Sequence, residues 1–132
     1  MSLTIINRTL ARAESLAAEF SDLYKITTLA TDNITATTPK PDLLLNATSA
    51  SLEAKLPISD TSIITENTFC YDLAYATEPT SFMTLCKSVG SSRVFDGRGM
   101  LVEQAARAFT TWTSLEVDTR VLIDNFEDLK NQ

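Results

Sequence analysis

Leu3-Thr4-Ile5-Ile6-Asn7-Arg8-Thr9-Leu10-Ala11-Arg12-Ala13 passes from a short, β-branched apolar run straight into a helical one. The run over residues 3–6 reads as a buried strand. Beyond it, Leu10, Ala13, Leu16, Ala17 and Phe20 recur at helical spacing, with Arg12, Glu14 and Glu19 largely on the opposite side. Thr9 stands where an N-cap hydroxyl would accept an unpaired backbone N–H of the first turn.

The same alternation continues down the chain. Residues 25–29 form a weaker strand, and the Thr- and Pro-rich stretch 30–41 is a loop with room for one helical turn. Asp42-Leu43-Leu44-Leu45 is a continuous apolar strand stopped by Asn46-Ala47-Thr48-Ser49, and residues 51–60 are loop-like. A short element around Ile63 and Ile64 precedes a strand over 69–75. Pro79-Thr80 opens a helix with Phe82, Leu85, Cys86 and Val89 as its buried stripe, closed by Gly90 as a C′ residue. After a short strand at Arg93-Val94-Phe95, residues 100–112 are helical, burying Leu101, Ala105, Ala108 and Trp112. A last helix, about 119–129, buries Val121, Leu122 and Phe126. Strands that are apolar throughout, alternating with helices, predict an α/β domain: a mostly parallel sheet with flanking helices. No repeat or linker divides the 132 residues, so one domain is expected.

Composition removes several classes of function. The chain is 44% apolar and 21% charged, an ordinary globular mix. Its formal charge is −6, and no Lys/Arg block stands out, which argues against nucleic acid and anionic membrane surfaces as partners. There is no histidine, so Ser-His-Asp and Cys-His nucleophile pairs are excluded, along with His-rich zinc sites. Cys70 and Cys86 lie in apolar surroundings and are read as buried free thiols of a reducing cytoplasm. Any redox chemistry must come from a bound cofactor.

In open parallel sheets, ligands collect at the carboxyl ends of the strands. Four such ends carry small or polar residues: Asn7-Arg8-Thr9, Asn46-Ala47-Thr48-Ser49, Asp72-Leu73-Ala74-Tyr75 and Asp96-Gly97-Arg98-Gly99. At the first, Arg8 and Arg12 flank a helix start, where backbone donors and the helix dipole also favour an anion. No acid follows this strand until Glu14, so a phosphate monoester suits the position better than a diol that needs a carboxylate. On pattern alone, a capped surface helix with two solvated arginines explains these residues equally well. Asp72 and Asp96 are the kind of post-strand carboxylate that caps a loop.

Taken in order, Asn7-Arg8-Thr9 with Arg12, Asn46-Ala47-Thr48-Ser49, Tyr71-Asp72-Leu73-Ala74-Tyr75 and Asp96-Gly97-Arg98-Gly99-Met100-Leu101-Val102-Glu103-Gln104-Ala105-Ala106 closely resemble the cofactor-binding domain of shikimate dehydrogenase. The resemblance runs from Thr4 to the end and implies a Rossmann-like NADP-binding domain. It further implies an enzyme reducing 3-dehydroshikimate to shikimate with NADPH, in aromatic amino-acid biosynthesis. By the same resemblance Asn7, Arg8, Thr9 and Arg12 hold the adenosine ribose and its 2′-phosphate, and Thr48 lies along the cofactor. Leu73 and Gly97 come near the nicotinamide with Met100 close by, while Tyr75 and Gln104 reach substrate hydroxyls. A phenol and a primary amide can bond hydroxyls without a charge. Duller roles remain open for Tyr75 as a strand-end cap and for Leu73 and Met100 as core.

Other parts of the family pattern are missing. The first strand and its Gly-rich pyrophosphate turn have no counterpart, since the three glycines are Gly90, Gly97 and Gly99. The catalytic lysine and aspartate of the substrate domain have none either: Lys25, Lys40, Lys55, Lys87 and Lys130 occupy no matching position. Ala50-Ser51 stands where relatives often carry a glycine, and Arg98 replaces a usually apolar residue. The expectation is a partial NADP-binding domain over 1–132, without catalytic residues and inactive alone. A non-catalytic interaction or regulatory domain on the same scaffold is the rival reading, and a quinate dehydrogenase relative a third. In the usual strand order 3-2-1-4-5-6 the absent strand falls between residues 3–6 and 43–45. Two repairs suggest themselves: the first strand shifts to pair beside 43–45, or, as the favoured expectation, the chain self-associates.

Overall fold

The computed structural model describes residues 2–53 and 55–126. The order of elements is β1 (Leu3–Asn7), α1 (Leu10–Glu19), β2 (Ile26–Ala30), β3 (Leu43–Asn46), β4 (Phe69–Asp72), α2 (Ser81–Ser88), β5 (Val94–Phe95), α3 (Arg98–Thr113) and α4 (Thr119–Asp124). Single 3-10 turns lie at Thr31–Asn33 and Ala50–Glu53. The expected strand over 69–75 is therefore shorter than the sequence suggests. No strand or helix forms around Ile63 and Ile64, and residues 127–129 of the expected last helix lie outside the described residues.

Every strand pairing is parallel, but the strands form two groups. One is β1-β2, in register from Leu3 opposite Ile26 to Asn7 opposite Ala30; the other is β3-β4-β5, with Leu44 opposite Cys70 and Cys70 opposite Val94. The break between β1 and β3 falls where the sequence predicts one, on the usual strand order 3-2-1-4-5-6. Of the two repairs, the shift of β1 onto β3 is not made. Such a shift would unseat α1, which packs against both β1 and β2.

One core serves both groups. Ile34, Ile58, Ile63, Ile64, Cys70, Phe82 and Cys86 are buried together, with Ile6, Leu29, Leu44, Leu85 and Val94 packed against them. Four of those seven buried residues, the isoleucines, come from connecting segments without regular periodicity. Successive strand side chains point to opposite faces, so only alternate residues of β3, β4 and β5 look into this core.

The opposite face of β3-β4-β5 is uncovered, which corrects the expectation of strands buried on both sides. Leu43 is 59% exposed, Leu45 51%, Phe69 42% and Phe95 48%. Phe69 and Phe95 stack at 5.9 Å, with the Arg93 guanidinium 4.8 Å from the centre of the Phe69 ring. Other expected core residues are exposed for the same reason, that no element is laid over them: Leu10 and Leu16 on α1, Phe20 just after it, Val89 after α2, Ala105 and Trp112 on α3, Val121 on α4. Within α3 the buried residue is Val102, with Leu101 and Ala108 half-buried; in α1 it is Ala13.

Local signals are sounder. Thr80 caps α2, its Oγ1 accepting the Met83 N–H at 3.2 Å, and Gly90 follows the helix in the left-handed region at φ 98°. Asp118 caps α4 through the Arg120 N–H at 3.1 Å. Thr9 has the extended backbone of a cap, but its hydroxyl makes no capping bond. Instead Asn7 Oδ1 accepts the Thr9 N–H at 2.9 Å, tightening the turn between β1 and α1.

Candidate functional site

The parallel strands bring their carboxyl ends to one edge, and the four polar segments found in the sequence sit there. Arg8, just past β1, is near enough to Glu53, in the turn after β3, to help hold that carboxyl below its usual range; the main cause is the 2.6 Å bond from Lys55. Arg8 and Arg12 are both exposed, and neither enters an ion pair among the described residues. Two cations thus flank the start of α1, Arg8 just before the cap residue Thr9 and Arg12 in the first turn, where unpaired backbone N–H groups also point.

Between β3 and β4 lies a buried polar network centred on Asp72, which is fully buried. Its Oδ1 accepts the Asn46 Nδ2 at 3.0 Å and the Ala74 N–H at 3.1 Å, and its Oδ2 accepts the Thr80 hydroxyl at 2.6 Å. Asn46, 4% exposed, turns its Oδ1 toward the following loop, where it accepts the Thr48 N–H at 3.1 Å and the Thr48 hydroxyl at 2.8 Å. Thr48 Oγ1 in turn accepts the Ala50 N–H at 3.3 Å. One carboxylate therefore ties the end of β3, the end of β4 and the start of α2 together. A buried charge left without such donors would cost several kcal/mol or would not persist, at roughly 1–3 kcal/mol or more for each unsatisfied group.

The loops after β4 and β5 are laced to the same frame. Leu73 N–H donates to the Asn46 carbonyl at 2.9 Å, and Gly97 N–H donates to the Ala74 carbonyl at 3.1 Å. Gly97 sits so close to Leu73 that a Cβ would strike its carbonyl oxygen and come within 2.8 Å of the carbonyl carbon. Asp96 fastens the next turn, accepting the Arg98 N–H at 3.1 Å and pairing with its Nε at 2.7 Å. Arg98 is thus drawn back onto the loop.

Tyr75, after β4, and Gln104, on α3, are both exposed. Tyr75 meets Phe126 edge-on at 6.2 Å, and Met100, 40% exposed, is not core. Leu73 is half-buried. The sequence did not reveal the roles of Asn46 and Thr80 in the Asp72 network. A buried carboxylate at a strand end, followed eight residues later by a helix-capping threonine, was the available signal. Beneath the network, burial first, and then Cys70 and Asp72, push the Cys86 thiol far above its usual range. Both cysteines are free and buried. No cluster among the described residues could hold a metal ion, and no helix there is long and apolar enough to cross a membrane. A separate apolar groove of about 600 Å³, lined by Leu101, Ala105, Phe109, Val117, Leu122 and Phe126, runs between α3 and α4.

Residues 97–124 match the family model of the Shikimate 5'-dehydrogenase C-terminal domain. The chain is 41% identical over 121 residues to the shikimate dehydrogenase (NADP(+)) of Aeromonas salmonicida, a match covering 92% of this chain and 43% of that protein. In structure it resembles an Ael1 enzyme from Pseudomonas putida, with a TM-score of 0.82 and 38% identity over 94% of this chain and 45% of that one. It also resembles shikimate 5-dehydrogenase from Thermus thermophilus in complex with NADP(H) and shikimate, with a TM-score of 0.75 and 29% identity, covering 94% of this chain and 44% of the other. The chain spans less than half the length of these relatives.

Proposed function

We propose that this chain, over the portion that it spans, belongs to the shikimate dehydrogenase family and forms the NADP-binding part of an enzyme reducing 3-dehydroshikimate to shikimate. The observation that carries the reading is the pair of exposed cations, Arg8 and Arg12, at the N-terminus of α1, with Arg8 near Glu53 in the turn that follows Thr48. Bound NADPH supplies the hydride in such a reaction. Arg8 and Arg12, with Asn7 and Thr9 beside them, hold the adenosine ribose and its 2′-phosphate. Thr48 lines the cofactor, Leu73 and Gly97 close around the nicotinamide end, and Tyr75 and Gln104 offer a phenol and an amide to substrate hydroxyls.

The fit is partial. The donors at α1 suit the phosphomonoester, whereas Gly90, Gly97 and Gly99 leave no Gly-rich turn for the pyrophosphate. Without that turn residues 1–132 alone should bind NADP weakly, and with no lysine at a catalytic position they should not turn over shikimate. The buried thiols fit a cytoplasmic setting. Titration calorimetry of the purified chain with NADP and NAD tests the reading. Arg8→Ala and Arg12→Ala each weaken NADP binding by about ten- to hundredfold, as expected for a hydrogen bond to a charged group, and NAD binding much less. Equal losses for both cofactors would assign the arginines to general charge instead.

A second reading concerns partners. The uncovered apolar face of β3-β4-β5, beside strands whose inner edges lack a neighbour among the described residues, favours self-association of the chain.

A further inference from the structure

We infer that the Thr48 hydroxyl is a dedicated hydrogen-bond acceptor, selecting a donor group of the ligand, a hydroxyl or an amide N–H, over a phosphate or carbonyl oxygen. This rests on the reading that NADP lies along the loop after β3, but its cause lies in the buried network behind that loop. Asp72 receives at least three donors and serves only as an acceptor, so the Asn46 side chain must turn its NH2 group toward it. That leaves Asn46 Oδ1, which carries no hydrogen, facing Thr48. The 2.8 Å contact between Asn46 Oδ1 and Thr48 Oγ1 can then form only with the threonine proton between them. A hydroxyl has one proton and two lone pairs. The proton is spent inward and the Ala50 N–H takes one lone pair at 3.3 Å. What exposed Thr48 offers outward is the remaining lone pair.

Asp72 and Asn46 are therefore positioning residues: they decide the polarity of a group that touches the ligand without touching it themselves. An amide has two nearly isosteric orientations, and only the network chooses between them. With Asp72→Asn the neighbouring amide can be offered either end, so the Asn46 amide can turn and the Thr48 proton can swing outward.

Two measurements test this. In nuclear magnetic resonance spectra of the wild-type chain without ligand, the Asn46 NH2 protons show Overhauser contacts to Asp72 and Thr80; contacts from them to the Thr48 amide proton instead would overturn the inference. In titrations with NADP, Thr48→Val and Asp72→Asn each weaken binding about three- to tenfold, the range of one neutral hydrogen bond. The double variant binds no more weakly than Thr48→Val alone, and Thr48→Ser recovers most of the loss. Additive losses, or an Asp72→Asn variant that binds like the wild type, would refute the relay. Should the wild type take up no NADP, the cofactor reading fails, and the ligand-free spectra still decide which way the hydroxyl points.

Discussion

Gly97 is the residue at which one atom decides the most. Its φ of −75° is open to any amino acid, so the requirement for glycine is one of space. A methyl group there would be driven into the Leu73 carbonyl and would pry apart the loops after β4 and β5. Gly97→Ala is expected to lower stability by about 1–3 kcal/mol, the range for overpacking a fixed contact, with chemical denaturation as the measurement. A loss within about 0.5 kcal/mol, the usual scatter of neutral surface changes, would show that the backbone gives way. At this scale the sequence is informative wherever a residue acts through its own backbone or charge. Gly90 as a helix stop, Asp96 as a loop cap and the arginines at α1 are all legible. Asn46 is not, because its importance lies in facing Asp72 across 26 positions, and nothing local marks that pairing.

Among the elements, α2 is the best specified, with a capping threonine, a positive-φ glycine and Phe82 and Cys86 in the core with Cys70 of β4. The strand–helix alternation is legible because each strand is an apolar run bounded by breakers. Burial is not. Periodicity shows which side of an element is apolar, but not whether anything lies over it, and so Trp112, expected in the core, is 81% exposed. Nor does periodicity find Ile34, Ile58, Ile63 and Ile64, which fill the core from irregular segments. The α2–β4 contact also has a pH signature. Folding raises the Cys86 thiol above its usual range through burial, so the unfolded chain loses that proton first as pH rises. This contribution to stability is complete below the ordinary thiol range and declines as pH climbs above it. Denaturation midpoints between neutral and alkaline pH should show the decline, and Cys86→Ala should flatten it. An unchanged slope in that variant would place the alkaline sensitivity elsewhere.

For the whole molecule, the sheet face of Leu43, Leu45, Phe69 and Phe95 is the main liability, since monomers rarely leave so much contiguous apolar surface in water. Self-association is expected to appear in light scattering across a dilution series, and Leu43→Lys, on a side chain 59% exposed, should shift the chain toward monomer without unfolding it. A wild-type mass that stays monomeric at every concentration would remove this expectation. The break between β1 and β3 has another consequence, for the order in which the molecule comes apart. Residues 3–30 hold one fully covered side chain, Ala13, whereas β4 and α2 hold Cys70, Asp72, Phe82, Met83 and Cys86. A segment tied to the rest by few buried contacts opens at a smaller free-energy cost than the global transition. Under native conditions the amides of β1 and β2 should therefore trade their protons for deuterium well before those of β4, through an opening that lifts the β1–α1–β2 unit away while the other half stays folded.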